Sequence, residues 1–204
     1  GIYLIVRADD IGSSHAANLA CIESYQQGIA RSVEVMVPCP WFLEAAAMLR
    51  DNPGYDVGVH LTLTSEWSNV KWRPLTCAPS LVDSNGYFYP KAKIWSDENS
   101  HDAFYDARPD IEQVEAELRA QIEMALKHIP QISHLSSHMG VTGLDDELRA
   151  LEKRLAEEYD LDIDLSGLGA TYGRWGSDTQ DDAATREQKL IDMLEAQQNG
   201  LTVI

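Results

Sequence analysis

The apolar positions of this chain fall into short β-rich runs that alternate with helical stripes. Residues 2–6 form the first run, which closes on Arg7-Ala8-Asp9-Asp10, and Gly12-Ser13-Ser14 then supplies a turn and a helix cap before a helical stretch to about residue 27. The order returns with a strand over 32–37, a helix over 41–50 and a strand over 56–64. Ile111, Val114, Leu118, Ile122 and Leu126 recur at helical spacing, so residues 110–127 predict a helix whose stripe faces a core. A strand over 132–137, a helix over 145–159, a strand over 161–165, a helix over 186–197 and a strand over 201–204 complete the series. Such alternation predicts a parallel sheet with helical crossovers.

Periodicity fails over residues 65–108, where Trp67, Trp72, Pro74, Pro79, Gly86, Pro90 and Trp95 mark a long irregular insertion. Long loops of this kind are functional or disordered, and the density of aromatic rings favours an ordered one. Trp67 and Trp72, with Arg73 beside them, form a candidate rim on which sugar faces could stack. The expected fold class is α/β: a distorted β/α (TIM-like) barrel with parallel strands, in one domain over residues 1–204. It is short against the roughly 250 residues of an ideal barrel. Ile204 closes a strand that lacks its covering helix, so the C-terminal end is expected to be incomplete.

Composition narrows the partners. With 44% hydrophobic and 24% charged residues the chain is an ordinary globular one. Its 33 acidic against 16 basic residues give a formal charge of −17, which repels phosphate backbones and anionic lipid. Neither nucleic acid nor a membrane is an expected partner; a small neutral or cationic substrate is. No apolar run of about 20 residues is present, and the compartment stays open between cytoplasm and a secreted or periplasmic location after signal removal. A homodimer is equally open. Cys21, Cys39 and Cys77 are odd in number with no C-x-x-C pair, which predicts buried or incidental thiols.

In a β/α barrel, catalytic groups gather at the C-terminal ends of the strands. Asp9-Asp10 ends the first strand, His60 lies late in the third and His138 follows the fourth, so three polar groups converge on one mouth. Period-two alternation puts Val57, Val59, Leu61 and Leu63 on one face and Gly58, His60, Thr62 and Thr64 on the other, which points His60 inward with Thr62 behind it. His134 and His138 are about 13 Å apart along an extended strand, far beyond the roughly 4 Å between two ligands of one metal. His138 is therefore the expected ligand and His134 a deeper group behind it. Adjacent carboxylates repel, so Asp9-Asp10 makes sense if a cation neutralises one and the other is left free as a base. One Asp and two His suit zinc, and also magnesium or manganese. His15, His101 and His128 are expected at the surface, His128 as a partner of a helix dipole.

Arg7-Ala8-Asp9-Asp10-Ile11-Gly12, Gly58-Val59-His60-Leu61-Thr62-Leu63-Thr64 and His134-Leu135-Ser136-Ser137-His138-Met139-Gly140 together resemble three ordered motifs of the YdjC-like carbohydrate deacetylases, which include chitooligosaccharide deacetylases. Trp72-Arg73-Pro74-Leu75 and the stretch over 80–88 are similar to family features between them. The resemblance implies a distorted barrel, one divalent metal held by Asp10, His60 and His138, and Asp9 as general base. The implied reaction removes N-acetyl groups from small amino-sugar oligosaccharides. Two departures stand out. Ser136 replaces a frequent Asp, and a later H-P-G-type segment would fall beyond residue 204, leaving the general acid unnamed. A sugar-binding protein without turnover and a phosphoesterase on the same scaffold are the competing readings.

Overall fold

The computed structural model describes residues 1–94, 102–162, 169–173 and 180–204. Its strands are β1 (Ile2–Ile5), β2 (Arg7–Ile11), β3 (Ser32–Val35), β4 (Asp56–Leu61), β5 (Ile132–Ser137), β6 (Thr171–Tyr172) and β7 (Gly200–Val203). The helices are α1 (His15–Gln26), α2 (Phe42–Arg50), α3 (Ile111–His128), α4 (Asp146–Tyr159) and α5 (Ala183–Glu195). The α/β class with parallel strands is as expected.

All strand pairs are parallel, in the orders β1-β7-β6 and β2-β3-β4-β5. The two sheets are continuous through the backbone. Ile204 N donates to Ile5 O at 2.9 Å, Arg7 N to Ile204 O at 2.7 Å and Arg31 N to Val6 O at 2.8 Å. At the far edge Asp162 bridges His134 in parallel, which is the described part of the strand expected over 161–165. The rest of that strand, with Trp95 and His101, lies outside the described residues.

Side-chain alternation gives the sheet two unlike faces. Val33, Val35, Val57, Val59 and Leu61 are fully buried in one apolar core with Leu49 of α2 and Val114, Leu118 and Ile122 of α3. The pairing register places Glu34 beside Gly58 and Gly58 beside His134, with His60 beside Ser136. The opposite face of the sheet is therefore polar, unlike the aliphatic layers that fill an ideal barrel.

Local signals explain most boundaries. Ser14, Asp110, Asp145 and Asp182 each accept a hydrogen bond from a first-turn backbone N–H as helix N-caps. Capped by Asp182, α5 starts at Ala183, three residues ahead of the expected 186. β6 was not expected, since two residues carry no periodicity. The expected first strand is divided in two: β1 stops at Ile5, and β2 carries Asp9-Asp10 and ends at Ile11. Gly12 then turns the chain at φ +102°, where a Cβ would lie 2.8 Å from Met36 O.

The irregular insertion is ordered where described. Trp72, Leu81, Phe88 and Phe104 are buried in the core. Glu117 of α3, with no exposed surface, accepts from Leu75 N, Thr76 N and the Thr76 hydroxyl. Gln121 holds both backbone groups of Thr62. Buried polar groups of one helix thus supply partners for a loop that has no ladder of its own.

Candidate metal centre

In a regular strand Asp9 and Asp10 would face opposite sides. Asp9 keeps the regular alternation, on the same face as Arg7, with 3.7 Å between Arg7 Nε and Asp9 Oδ1. At Asp10 the backbone turns left-handed, φ 73°, and the β2–β3 register slips between Ala8 and Ile11. This bulge aims the Asp10 carboxylate at the two histidines. Oδ1 of Asp10 lies 3.5 Å from His60 Nε2 and 3.2 Å from His138 Nδ1. His138 reaches it because β5 stops at Ser137 and the chain turns, with Met139 at φ 52° and Gly140 at φ 66°.

One ligand atom from each of Asp10, His60 and His138 lies within 4.8 Å of the others. His60 and His138 are buried, at 3% and 4% exposure. Asp10 Oδ1 is buried and has no hydrogen-bond partner, although it faces two imidazole nitrogens. An orphaned carboxylate oxygen is costly unless a cation shares the space. The donor set, one hard oxygen and two imidazoles, suits a divalent ion.

The electrostatics agree with a site built for positive charge. Burial opposes ionisation of Asp10, but His138 and His60 outweigh it and hold the carboxyl below its ordinary value. Burial likewise opposes charge on His138, yet Asp10 on one side and Glu66 on the other raise it to about 9. Glu66 Oε2 lies 3.1 Å from His138 Nε2. Asp9 shifts the other way: burial raises it, aided by Glu34 and Asp10, against the pull of His60 and Arg7.

The other expected residues divide. Thr62 is fully buried, and its hydroxyl donates to the backbone carbonyl of His60 at 2.6 Å. His134 stands apart from the three, with Nε2 2.9 Å from Glu34 Oε1. Trp67 is exposed, next in sequence to Glu66, and Arg73 is exposed over the Tyr87 ring at 4.5 Å. Trp72 is a correction. It is 2% exposed, its indole donates to Thr64 O at 2.7 Å, and it packs under Trp67 with ring centres 5.6 Å apart. A ring whose one polar atom is satisfied indoors is core, not rim. His15 is exposed and pairs with Glu44, whereas His128, at the end of α3, is half-buried with its ring edge-on to the buried Phe42.

Two carboxylates escape the sequence reading. Glu66 carries no periodic signal. Glu34 does carry one, a charged residue alternating with valines in a buried strand, but the sequence does not say what it meets.

A family model described as YdjC-like protein matches residues 3–203. The carbohydrate deacetylase 1 of Listeria innocua is 33% identical over 173 residues, covering 82% of this chain and 64% of that protein. The carbohydrate deacetylase of Thermus thermophilus is 39% identical over 171 residues, covering 81% of this chain and 56% of that protein. The chain thus spans about three fifths of the length of the curated relatives it matches. Among solved structures, an Enterococcus faecalis protein provisionally assigned to cellobiose-phosphate cleavage superposes with a TM-score of 0.77 at 26% identity, over 100% of this chain and 80% of that one. A mutant of a CE4-family pseudoenzyme shares the fold at a TM-score of 0.50 and 12% identity, over 99% of this chain and 56% of its own. No helix among the described residues is long and apolar enough to cross a membrane.

Proposed function

Given that the chain belongs to the YdjC-like family, we propose that it is a metal-dependent hydrolase that removes N-acetyl groups from small amino-sugar oligosaccharides of the chitooligosaccharide kind. The observation that carries this reading is the orphaned Asp10 Oδ1 facing His60 and His138, in a family whose relatives are named carbohydrate deacetylases. Asp10, His60 and His138 would hold one divalent ion, zinc or magnesium, which when bound acts as a Lewis acid on an acetamide carbonyl.

The remaining work falls to the chain. Asp9 is next to the ligand carboxylate but outside the group of three, and its raised proton affinity suits a general base. It takes a proton from the attacking water while the water oxygen bonds to the acetyl carbon. The C–N bond then breaks as the nitrogen takes up the proton that Asp9 removed from water, so the free amine and acetate are released and Asp9 is again ionised. Arg7 stays beside Asp9 and steadies its charge between turnovers. Trp67 and Arg73, exposed on the insertion, offer a stacking face and a hydrogen-bond donor to the sugar. The test is acetate release from N,N′-diacetylchitobiose and longer N-acetylated oligomers with and without chelator. Release that chelator abolishes is expected; no metal-dependent release from any N-acetylated sugar sinks the reading.

A further inference from the structure

Behind His60 lies a chain of hydrogen bonds that the proposed reaction does not itself use. His60 Nδ1 is 2.8 Å from Ser136 Oγ, and Ser136 Oγ donates to Glu34 Oε2 at 2.6 Å. The other oxygen, Glu34 Oε1, receives Ser32 Oγ at 2.8 Å and His134 Nε2 at 2.9 Å. Glu34 is fully buried on β3, two strands away from Ser136 on β5. It spans β4 because Gly58 lies between: a Cβ there would collide with both the Glu34 carboxylate and the His134 ring. The fold thus leaves out a side chain on the central strand to let this carboxylate pass.

The direction of the hydrogen bonds follows from chemistry. An ionised carboxylate only accepts, so the single proton of the Ser136 hydroxyl is committed to Glu34. That leaves the hydroxyl only a lone pair to offer His60, and His60 must bring the proton on Nδ1. A neutral imidazole with a proton on Nδ1 has a bare lone pair on Nε2, and Nε2 is the nitrogen that faces Asp10 Oδ1. Resting on the metal-site reading above, we propose that Glu34 is a positioning residue for the metal ligand His60, acting through the Ser136 hydroxyl to fix the tautomer that leaves Nε2 free to bind the ion. Partners of this kind orient a ligating imidazole and raise its basicity. Here the carboxylate reaches the ring through a serine hydroxyl supplied by another strand.

Two measurements on the whole chain test this. Side-chain nitrogen-15 NMR of His60 in metal-free wild type should show Nδ1 protonated and Nε2 bare; a proton on Nε2 overturns the proposal without any metal being added. Zinc affinity, by competition with a chromogenic chelator, should fall about 10–100-fold in Glu34→Ser and in Ser136→Ala. Placing the carboxylate directly against the ring, as Ser136→Asp in the Glu34→Ser background, should restore most of that affinity, which a purely structural role for Glu34 would not do. If Glu34→Ser does not fold, Ser136→Ala carries the same expectation with the Glu34–His134 pair intact. Wild-type zinc binding that both single variants leave unchanged overturns the role of Glu34 alone. Wild type that binds neither zinc nor magnesium overturns the metal site beneath it.

Discussion

Asp9 and Asp10 are adjacent in sequence, yet Asp9 Oδ1 lies 3.7 Å from Arg7 Nε while Asp10 Oδ1 meets His138 Nδ1 at 3.2 Å. The left-handed turn at Asp10 separates two carboxylates that would otherwise repel, one beside a guanidinium and one between imidazoles. A division of labour between them is the first consequence to test. Asp9→Asn should keep bound metal and lose turnover by about 10²–10⁴-fold. Asp10→Ala and His138→Ala should lose the metal. Elemental analysis of each purified protein after dialysis against zinc or magnesium decides it, and equal metal content in all three would refute the ligand assignment.

Gly58 should tolerate nothing larger. In Gly58→Ala the new methyl group meets the Glu34 carboxylate and the His134 imidazole, neither of which can withdraw without breaking a buried hydrogen bond. Overpacking of this sort costs about 1–3 kcal/mol. Urea unfolding of the metal-free protein measures it, and a variant as stable as wild type would show that the pair can shift freely.

The Glu34–His134 pair sets a pH window. Burial alone would raise Glu34, but hydrogen bonds from His134 and Ser136 and the charges of His134 and Arg7 hold it at about 2, against an ordinary 4.5. Its stabilising contribution is therefore complete above about 4.5 and is lost as pH falls toward about 2. His134 shifts upward: burial opposes this, and Glu34 overcomes it, so its contribution is complete below 6.5 and lost as pH rises through the folded value. The stability gap between wild type and Glu34→Gln should be widest between about 4.5 and 6.5 and narrow on both sides. Thermal unfolding of the metal-free proteins across that range reads the gap, and a gap independent of pH would contradict the pairing.

The two tryptophans, packed edge-to-face, should separate cleanly. Trp72→Ala removes a buried ring and its hydrogen bond to Thr64 O, at a cost of about 3–5 kcal/mol. Trp67→Ala, at an exposed position, should leave the unfolding midpoint nearly unchanged and raise KM for the oligosaccharide several-fold. An unchanged KM would remove Trp67 from the sugar face.

Much of this protein could be read from local pattern. Period-two alternation in residues 56–64 puts His60 on the face opposite Val57 and Val59, and capping residues such as Ser14, Asp110 and Asp145 mark helix starts within a residue. Those signals are legible because strand and helix periodicity and N-cap hydrogen bonds are set by neighbours in sequence. Rise per residue keeps His134 and His138 from sharing one metal along an extended strand, and the strand-end position beside Met139-Gly140 is what favours His138. What local spacing cannot encode is which side chains meet across strands. The bulge that turns Asp10 away from Asp9, the burial of Trp72 beneath Trp67, and the meeting of Glu34 with Ser136 over Gly58 all depend on register between segments up to about a hundred residues apart. Sheet register is set when whole apolar faces pack, so it is decided by the folded molecule and not by any one stretch of its sequence.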